Sequence, residues 1–218
     1  MAVNDQVVTD PAIMVGPDDV VCVDGQPVRP QPTVLLALHK PWGVVSTARD
    51  PRGRPTVVEV VPASLGRLYP VGRLDRDSEG LILLGNNGPL TNALLHPRHR
   101  VPRIYHLLVR PVPSDQDLGR LRSGVRLSDG FCRAAEARLL LDHPSESDMG
   151  WMQLVLHDGR NREARRMCAA LGIEVVRLIR VSFGSVRLGD LPPGGYRVLT
   201  EAEVGNLWRD ARGAGQRR

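Results

Sequence analysis

Lysine is almost missing from this sequence: Lys40 stands alone among 29 Lys+Arg residues, and the rest are arginine. The arginine guanidinium is a planar fork that pairs with phosphate and stacks on bases. A chain of net charge +5 and pI near 9.7 therefore fits a polyanionic partner, nucleic acid first. A GC-rich coding bias would give the same arginine excess without any change of function, and composition alone leaves both readings open. Cysteine is scarce too. Cys22, Cys132 and Cys168 are scattered and never spaced C-x-x-C, which argues against a disulfide framework or a zinc site and fits a reducing cytosol. No apolar run approaches membrane-spanning length. The first ten residues, MAVNDQVVTD, lack the basic and apolar regions of a signal peptide. A cytoplasmic protein without a membrane partner is expected. Regular βαβ alternation and internal repeats are also missing.

What is present is an alternation of short strands and turns. Residues 20–28, VVCVDGQPV, read as a hairpin about Asp24-Gly25. Residues 29–33, RPQPT, follow as a proline-spaced linker. Strands are expected at 34–38, 81–84, 104–109, 125–127, 133–141, 151–156 and 175–181. Helices are expected after Asn87-Gly88-Pro89, from Ser114 with Asp117 three residues on as a capping box, and from an Asn161 cap to Gly172. The last residues, ARGAGQRR, are basic and rich in small residues, and disorder is expected there. Strands outnumber helices and many are joined by tight turns, so the fold class is α+β with a mixed, largely antiparallel sheet.

The stretch RLDRDSEGLILL, residues 73–84, concentrates charge before an apolar strand. Counting from Asp75, its acids match an EF-hand loop at positions 1, 3 and 5, with glycine at 6. The match fails at position 12, where Asn86 replaces the bidentate glutamate, and no helix enters the loop. A second reading makes Asp75 a positioned nucleophile or base: it ends the apolar approach YPVGRL, with Arg73 and Arg76 beside it. A third is a surface turn whose charges pair with one another.

Arginines cluster again in GRNREARRM, residues 159–167, where Arg162, Arg165 and Arg166 fall in the first turns of a helix. The macrodipole makes that a poor place for cations unless an anion compensates. The anion could be RNA phosphate or a carboxylate such as Asp75; the plain alternative is a solvated basic face. The basic run HPRHRVPR leads into Tyr105, a pattern that suits backbone contacts plus base stacking, or an ordinary strand edge. His96, His99 and His106 have no paired spacing that would hold a metal.

In order along the chain, HKPWGVVST, GRLDRDSEGLILL with NNG, RIYHLLV, and DGRNREARRM with RLIR resemble the pseudouridine synthases of the ribosomal small-subunit synthase A type. The resemblance spans residues 35–200. It implies a pseudouridine synthase fold, a mixed and mostly antiparallel sheet flanked by helices, with two subdomains around a central RNA-binding cleft. It also implies cofactor-free, metal-free isomerisation of uridine in RNA. Asp75 matches the catalytic aspartate, which attacks the anomeric carbon or abstracts a neighbouring sugar proton before uracil turns and rejoins through carbon 5. Tyr105 matches the tyrosine expected to stack on the flipped base and assist with the carbon-5 proton. Arg165 matches the basic residue that pairs the aspartate, with Arg180 as second choice.

Arg73 is expected to contact the RNA around the extruded nucleotide. Lys40, Arg76, Arg103, Arg160, Arg162, Arg166 and Arg180 are further expected RNA contacts, and Arg103 stands where the family carries lysine. Gly85 to Gly88 reads GNNG where the family has T-N-D-G, and Glu163-Ala164 replaces glutamine-valine. The D-R-D-S-E-G and N-N-G forms look closest to members acting on large-subunit rRNA. Residues 1–32 resemble the end of an alpha-L RNA-binding domain plus linker. Residues 33–204 form the expected catalytic domain, and 205–218 the expected disordered tail. The partner expected is rRNA, in a pre-ribosomal particle or subunit, bound by a monomer.

Overall fold

The computed structural model describes residues 1–10, 12–16, 18–28, 31–144 and 148–213. The chain divides into two contact units, residues 1–33 and residues 34 onward. Arg29 and Pro30 of the expected linker lie outside the described residues.

The first unit holds strands β1 (Ala2–Val3), β2 (Gln6–Val7), β3 (Val21–Val23) and β4 (Gln26–Val28), paired in the order β2-β1-β3-β4. Both hairpin turns, Asn4-Asp5 and Asp24-Gly25, hold two residues at positive φ, as the tight turns that follow strand twist require. Asn4 ties in the segment ahead of β3: its Nδ2 donates to Asp19 Oδ1 at 2.7 Å and its Oδ1 accepts from Val20 N at 2.9 Å.

The second unit is built on β5 (Leu35–Lys40), β6 (Tyr69–Val71), β7 (Glu79–Gly85), β8 (Arg103–Arg110), β9 (Val125–Leu127), β10 (Gly130–Cys132), β11 (Glu136–Leu139), β12 (Gly150–Leu156), β13 (Glu174–Phe183), β14 (Val186–Arg187) and β15 (Tyr196–Val198). Among the described residues nine of these form one sheet. Its path runs β11-β12-β8-β13-β7-β5-β15, with β6 on β7 and β14 on β13; β9 and β10 make a separate hairpin. Neighbours pair antiparallel except β7 and β13, which run parallel.

The helices are α1 (Gly88–Leu95), α2 (Asp115–Ser123), α3 (Glu163–Ala169) and α4 (Glu201–Gly213). They pack on both faces of the sheet, and so β7 carries the unbroken apolar run Leu81 to Leu84. Along β7, Ile82 and Leu84 enter a cluster with Leu118 and Leu121 of α2 and Ala164, Met167 and Cys168 of α3. Leu81 and Leu83 enter the opposite cluster, with Leu90 and Leu94 of α1 and Leu207 and Ala211 of α4.

The ends of the helices follow from their caps. In α2, Ser114 and Asp117 form the reciprocal capping box. In α1, the Asn87 side chain accepts from Leu90 N. α3 departs from expectation: its N-cap is Arg162, in a left-handed conformation, with no side-chain cap from Asn161. The buried Glu163 carboxylate replaces that cap by accepting from the amides of Gly159 at 3.0 Å and Arg160 at 3.1 Å.

The expectation of disorder from residue 205 is corrected, because α4 continues to Gly213. Thr200 and Glu203 form its capping box, and Val204, Leu207, Trp208 and Ala211 present one apolar face to the core. Residues 214–218 of the expected tail lie outside the described residues.

Gly80 permits the closest crossing in the sheet. It has φ +101, and a Cβ there would lie 2.6 Å from the Arg180 amide nitrogen of β13, and closer still to its carbonyl oxygen. Gly80→Ala is expected to lower stability by about 3 kcal/mol or more in urea unfolding. Gly119→Ala, in α2 with open space around it, is expected to raise it by about 0.5–1 kcal/mol.

Candidate active site

The turn between β6 and β7 carries Asp75, and its backbone is gripped from several sides. Six consecutive carbonyls, residues 73–78, each receive a donor. Arg180 Nη1 reaches Arg73 O at 3.5 Å, Ser46 Oγ reaches Leu74 O at 2.8 Å, and Ser78 N reaches Asp75 O at 3.1 Å. Gly43 N donates to Arg76 O at 2.8 Å, Arg165 Nη2 to Asp77 O at 2.7 Å, and Lys40 Nζ to Ser78 O at 2.7 Å. Leu74 N in turn donates to Ser46 Oγ at 3.1 Å. Five of the six donors come from β5 and the segment after it, from α3, or from β13.

The three acids of this turn are paired unequally. Asp77 is held bidentate by Arg162 at 2.9 and 2.8 Å, with Arg165 Nε at 3.5 Å. The Arg162 hydrogen bonds hold its carboxyl below the usual carboxylate range. Glu79 is held the same way by Arg177 of β13 at 2.8 and 2.9 Å, and its carboxyl is likewise lowered. Asp75 keeps a side chain about 30% exposed, and its one ion pair among the described residues is a loose contact with Arg162 at 3.7 Å.

Asp75 opens onto a cavity of about 350 Å³. Tyr105, Leu178 and Phe183 form part of its wall, and Arg73, Arg103, Arg160, Arg162, Arg165 and Arg180 surround it with positive charge. Tyr105 lies on β8 and is only 8% exposed. Two guanidinium groups lie over the Phe183 ring, Arg103 4.8 Å and Arg180 5.3 Å from its centroid. Arg180 is 2% exposed; burial works against its charge, and neighbouring Tyr105 works the other way. Its Nε donates to Leu81 O at 2.7 Å, whereas its buried Nη2 has no hydrogen-bond partner among the described residues. Glu163 is pushed up by burial beneath the same wall. Among the described residues there is no group of three or more His, Cys, Asp and Glu that could hold a metal, and no helix is long and apolar enough to cross a membrane.

Several expectations from sequence are corrected here. Lys40 is fully buried, with Nζ bound to Pro41 O and Ser78 O, and is out of reach of RNA. Arg165 does not pair with Asp75. Its fork bridges Val175 O and Asp77 O, and Arg162 makes the contact to Asp75 instead. Arg166 lies outside the cavity wall and is paired bidentate with Asp129 of the β9–β10 turn. Arg180 touches the cavity but is buried and bonded to backbone, so it is not an open RNA contact. Arg76 is exposed and stands outside the wall. Ser46 and Gly43, to which the sequence reading gave no role, position the Asp75 turn. Their only signal was their place in HKPWGVVST.

Residues 34–170 match the family model described as RNA pseudouridylate synthase. The chain is similar to the ribosomal large subunit pseudouridine synthase B of Bacillus subtilis, with 39% identity over 94% of this chain and 84% of that one. It is similar to an uncharacterized RNA pseudouridine synthase of Aquifex aeolicus, with 36% identity over 95% of this chain and 83% of that one. Among solved structures it is similar to a pseudouridylate synthase crystal structure at TM-score 0.71 and 28% identity, covering 94% of this chain and 87% of that one.

Burial pushes the Lys40 ammonium down from 10.5 to about 8, although Glu79, Asp77 and Asp75 pull upward. Between those two values the unfolded chain binds a proton that the folded chain has released, so this group makes stability rise with pH. Urea midpoints at pH 7.5 and pH 10 are expected to favour wild type over Lys40→Met increasingly, by up to about 3 kcal/mol. Below pH 8 the two should run parallel.

Proposed function

The chain belongs to the RNA pseudouridylate synthase family, and on that premise we propose that it isomerises a specific uridine of large-subunit ribosomal RNA, with Asp75 as its catalytic residue. The observation that carries this reading is one cavity bounded by both the Asp75 turn and Tyr105, and walled by arginines. The large-subunit substrate is supported by the similarity to the Bacillus subtilis protein and by the D-R-D-S-E-G form of the turn.

The target uridine must leave its stack, at a cost of a few kcal/mol. Arg73 and Arg160 offset it by taking phosphates at the cavity wall, and Tyr105 by stacking on the base. Asp75 then meets the ribose. Its carboxyl is partly open and only loosely paired, so an oxygen is available either to attack the anomeric carbon or to remove the neighbouring sugar proton. The detached uracil carries negative charge in one limit, and the surrounding guanidinium groups stabilise it while it turns. Carbon 5 bonds to the anomeric carbon as Asp75 is displaced from it or returns the sugar proton, and the proton lost from carbon 5, with help from Tyr105, is matched by one gained at nitrogen 1. Arg165, Lys40 and Ser46 are positioning residues that hold the Asp75 turn. No cofactor takes part, the enzyme works as a monomer, and it meets its RNA in the cytoplasm.

The protein should be incubated with large- and small-subunit rRNA fragments, and pseudouridine mapped by carbodiimide treatment and primer extension. A new stop on the large-subunit fragment is expected, and Asp75→Asn is expected to lower its rate of appearance at least about a thousandfold while RNA retention on a filter persists. A stop that survives the substitution removes Asp75 from the mechanism. A stop only on the small-subunit fragment overturns the substrate.

A further inference from the structure

A second concavity, of about 290 Å³, is lined by Arg100, Arg122, Arg133, Ala134, Ala135 and His157. It has a built frame. His157 follows β12, and its Nδ1 lies 2.5 Å from Arg100 O. Arg122 ends α2 and donates to Ala137 O at 2.9 Å. The segment bearing Arg133 is tied by Ala134 N to Leu121 O at 2.9 Å and by Ala135 N to Val155 O at 2.8 Å.

Its charge is uncompensated. Arg160, Arg162, Arg165 and Arg166 each have an aspartate within 4 Å. Among the described residues none of Arg100, Arg122 and Arg133 has an ion pair, and no carboxylate lines the concavity. All three are exposed. Three guanidinium groups around one hollow repel each other unless an anion enters, and their forks match phosphate oxygens.

The hollow adjoins the candidate active site. His157 directly precedes Asp158 and Gly159, which line the Asp75 cavity, and its carbonyl accepts from Arg103 Nη1 at 2.8 Å, itself part of that wall. Resting on the functional reading above, we propose that Arg100, Arg122, Arg133 and His157 form a second RNA-phosphate site. It holds the backbone of the substrate RNA beyond the target nucleotide, so affinity for an extended RNA depends on it and chemistry at Asp75 does not.

The test compares wild type with Arg133→Glu and with Arg100→Gln/Arg133→Gln. The RNAs are a long large-subunit fragment and a minimal stem-loop around the modified uridine. Filter binding is measured against KCl, and steady-state kinetics on both RNAs. On the long RNA the double variant should lose about 1–2 from the slope of log affinity against log salt. KM should rise about tenfold or more with kcat unchanged. On the stem-loop both should stay at wild-type values. An unchanged slope and KM on the long RNA overturn the proposal, and so does an equal loss on both RNAs, which would report general charge rather than a site beyond the target. If wild type makes no pseudouridine, the functional reading fails instead, and the salt slopes still decide the phosphate site.

Discussion

The carbonyls of residues 73–78 set the terms for the rest of the second unit. A turn that leaves a half-open carboxylate in a basic cavity buries few of its own side chains, here Leu74 and Ser78. It is held through its backbone, one carbonyl after another, by donors from distant segments. Three donors are cationic, and hydrogen bonds to charged groups are worth about 1.5–3 kcal/mol each, roughly twice a neutral one. The compensation runs the other way as well. Lys40 and Arg180 are buried cations, which is costly in isolation, and the carbonyl dipoles of the turn are what solvate them. Turn and cations stabilise each other, so neither is optional once the other is present.

That arrangement explains why a count of basic residues overstates the RNA-binding surface. Arginines that look equivalent in sequence divide into three groups. Arg165 and Arg180 hold backbone, Arg162, Arg166 and Arg177 hold carboxylates, and Arg100, Arg122 and Arg133 hold no acid. Electrostatic attraction for a polyanion comes mainly from the last group and from Arg73 and the loosely paired Arg160 at the cavity wall, because paired charges cancel at distances beyond a few ångströms.

Much of the fold was legible in the sequence because it is written locally. The Asp24-Gly25 turn, the Ser114–Asp117 capping box, the Asn87 cap and the apolar run of β7 are each specified within a few residues. α4 was equally legible in Thr200-Glu201-Ala202-Glu203 and the spacing of Val204, Leu207, Trp208 and Ala211, but the small and basic residues that follow masked it. The cations that hold the backbone of the Asp75 turn were not legible as its partners, since the bonds join residues 38 to 107 positions apart. The helix entry at α3 was hidden for a related reason. Asn161 is the better cap by residue type, yet a buried Glu163 takes the two free amides and moves the helix start forward. The acids at 75, 77 and 79 suggested a metal loop only while their partners were unknown. In the structure Asp77 and Glu79 are taken bidentate by Arg162 and Arg177, and Asp75 meets Arg162 only loosely.

The spacing between Asp75 and Tyr105 follows from the ladder. Arg180 of β13 pairs with Tyr105 on one side and with Gly80 on the other. Tyr105 and Gly80 thus sit two strand spacings apart, about 10 Å, with Arg180 between them. The missing side chain at Gly80 lets the β13 backbone approach at this level. From there Arg180 reaches back to Leu81 O and Arg73 O, and Arg177, three residues earlier, takes Glu79. One strand therefore grips the Asp75 turn at both ends while presenting its other edge to the strand that carries Tyr105. A register slip of β13 against either neighbour would exchange the faces of Arg177 and Arg180. It would release the turn and misplace the tyrosine together, so the two candidate catalytic groups are kept in register by the two pairings of β13, antiparallel with β8 and parallel with β7.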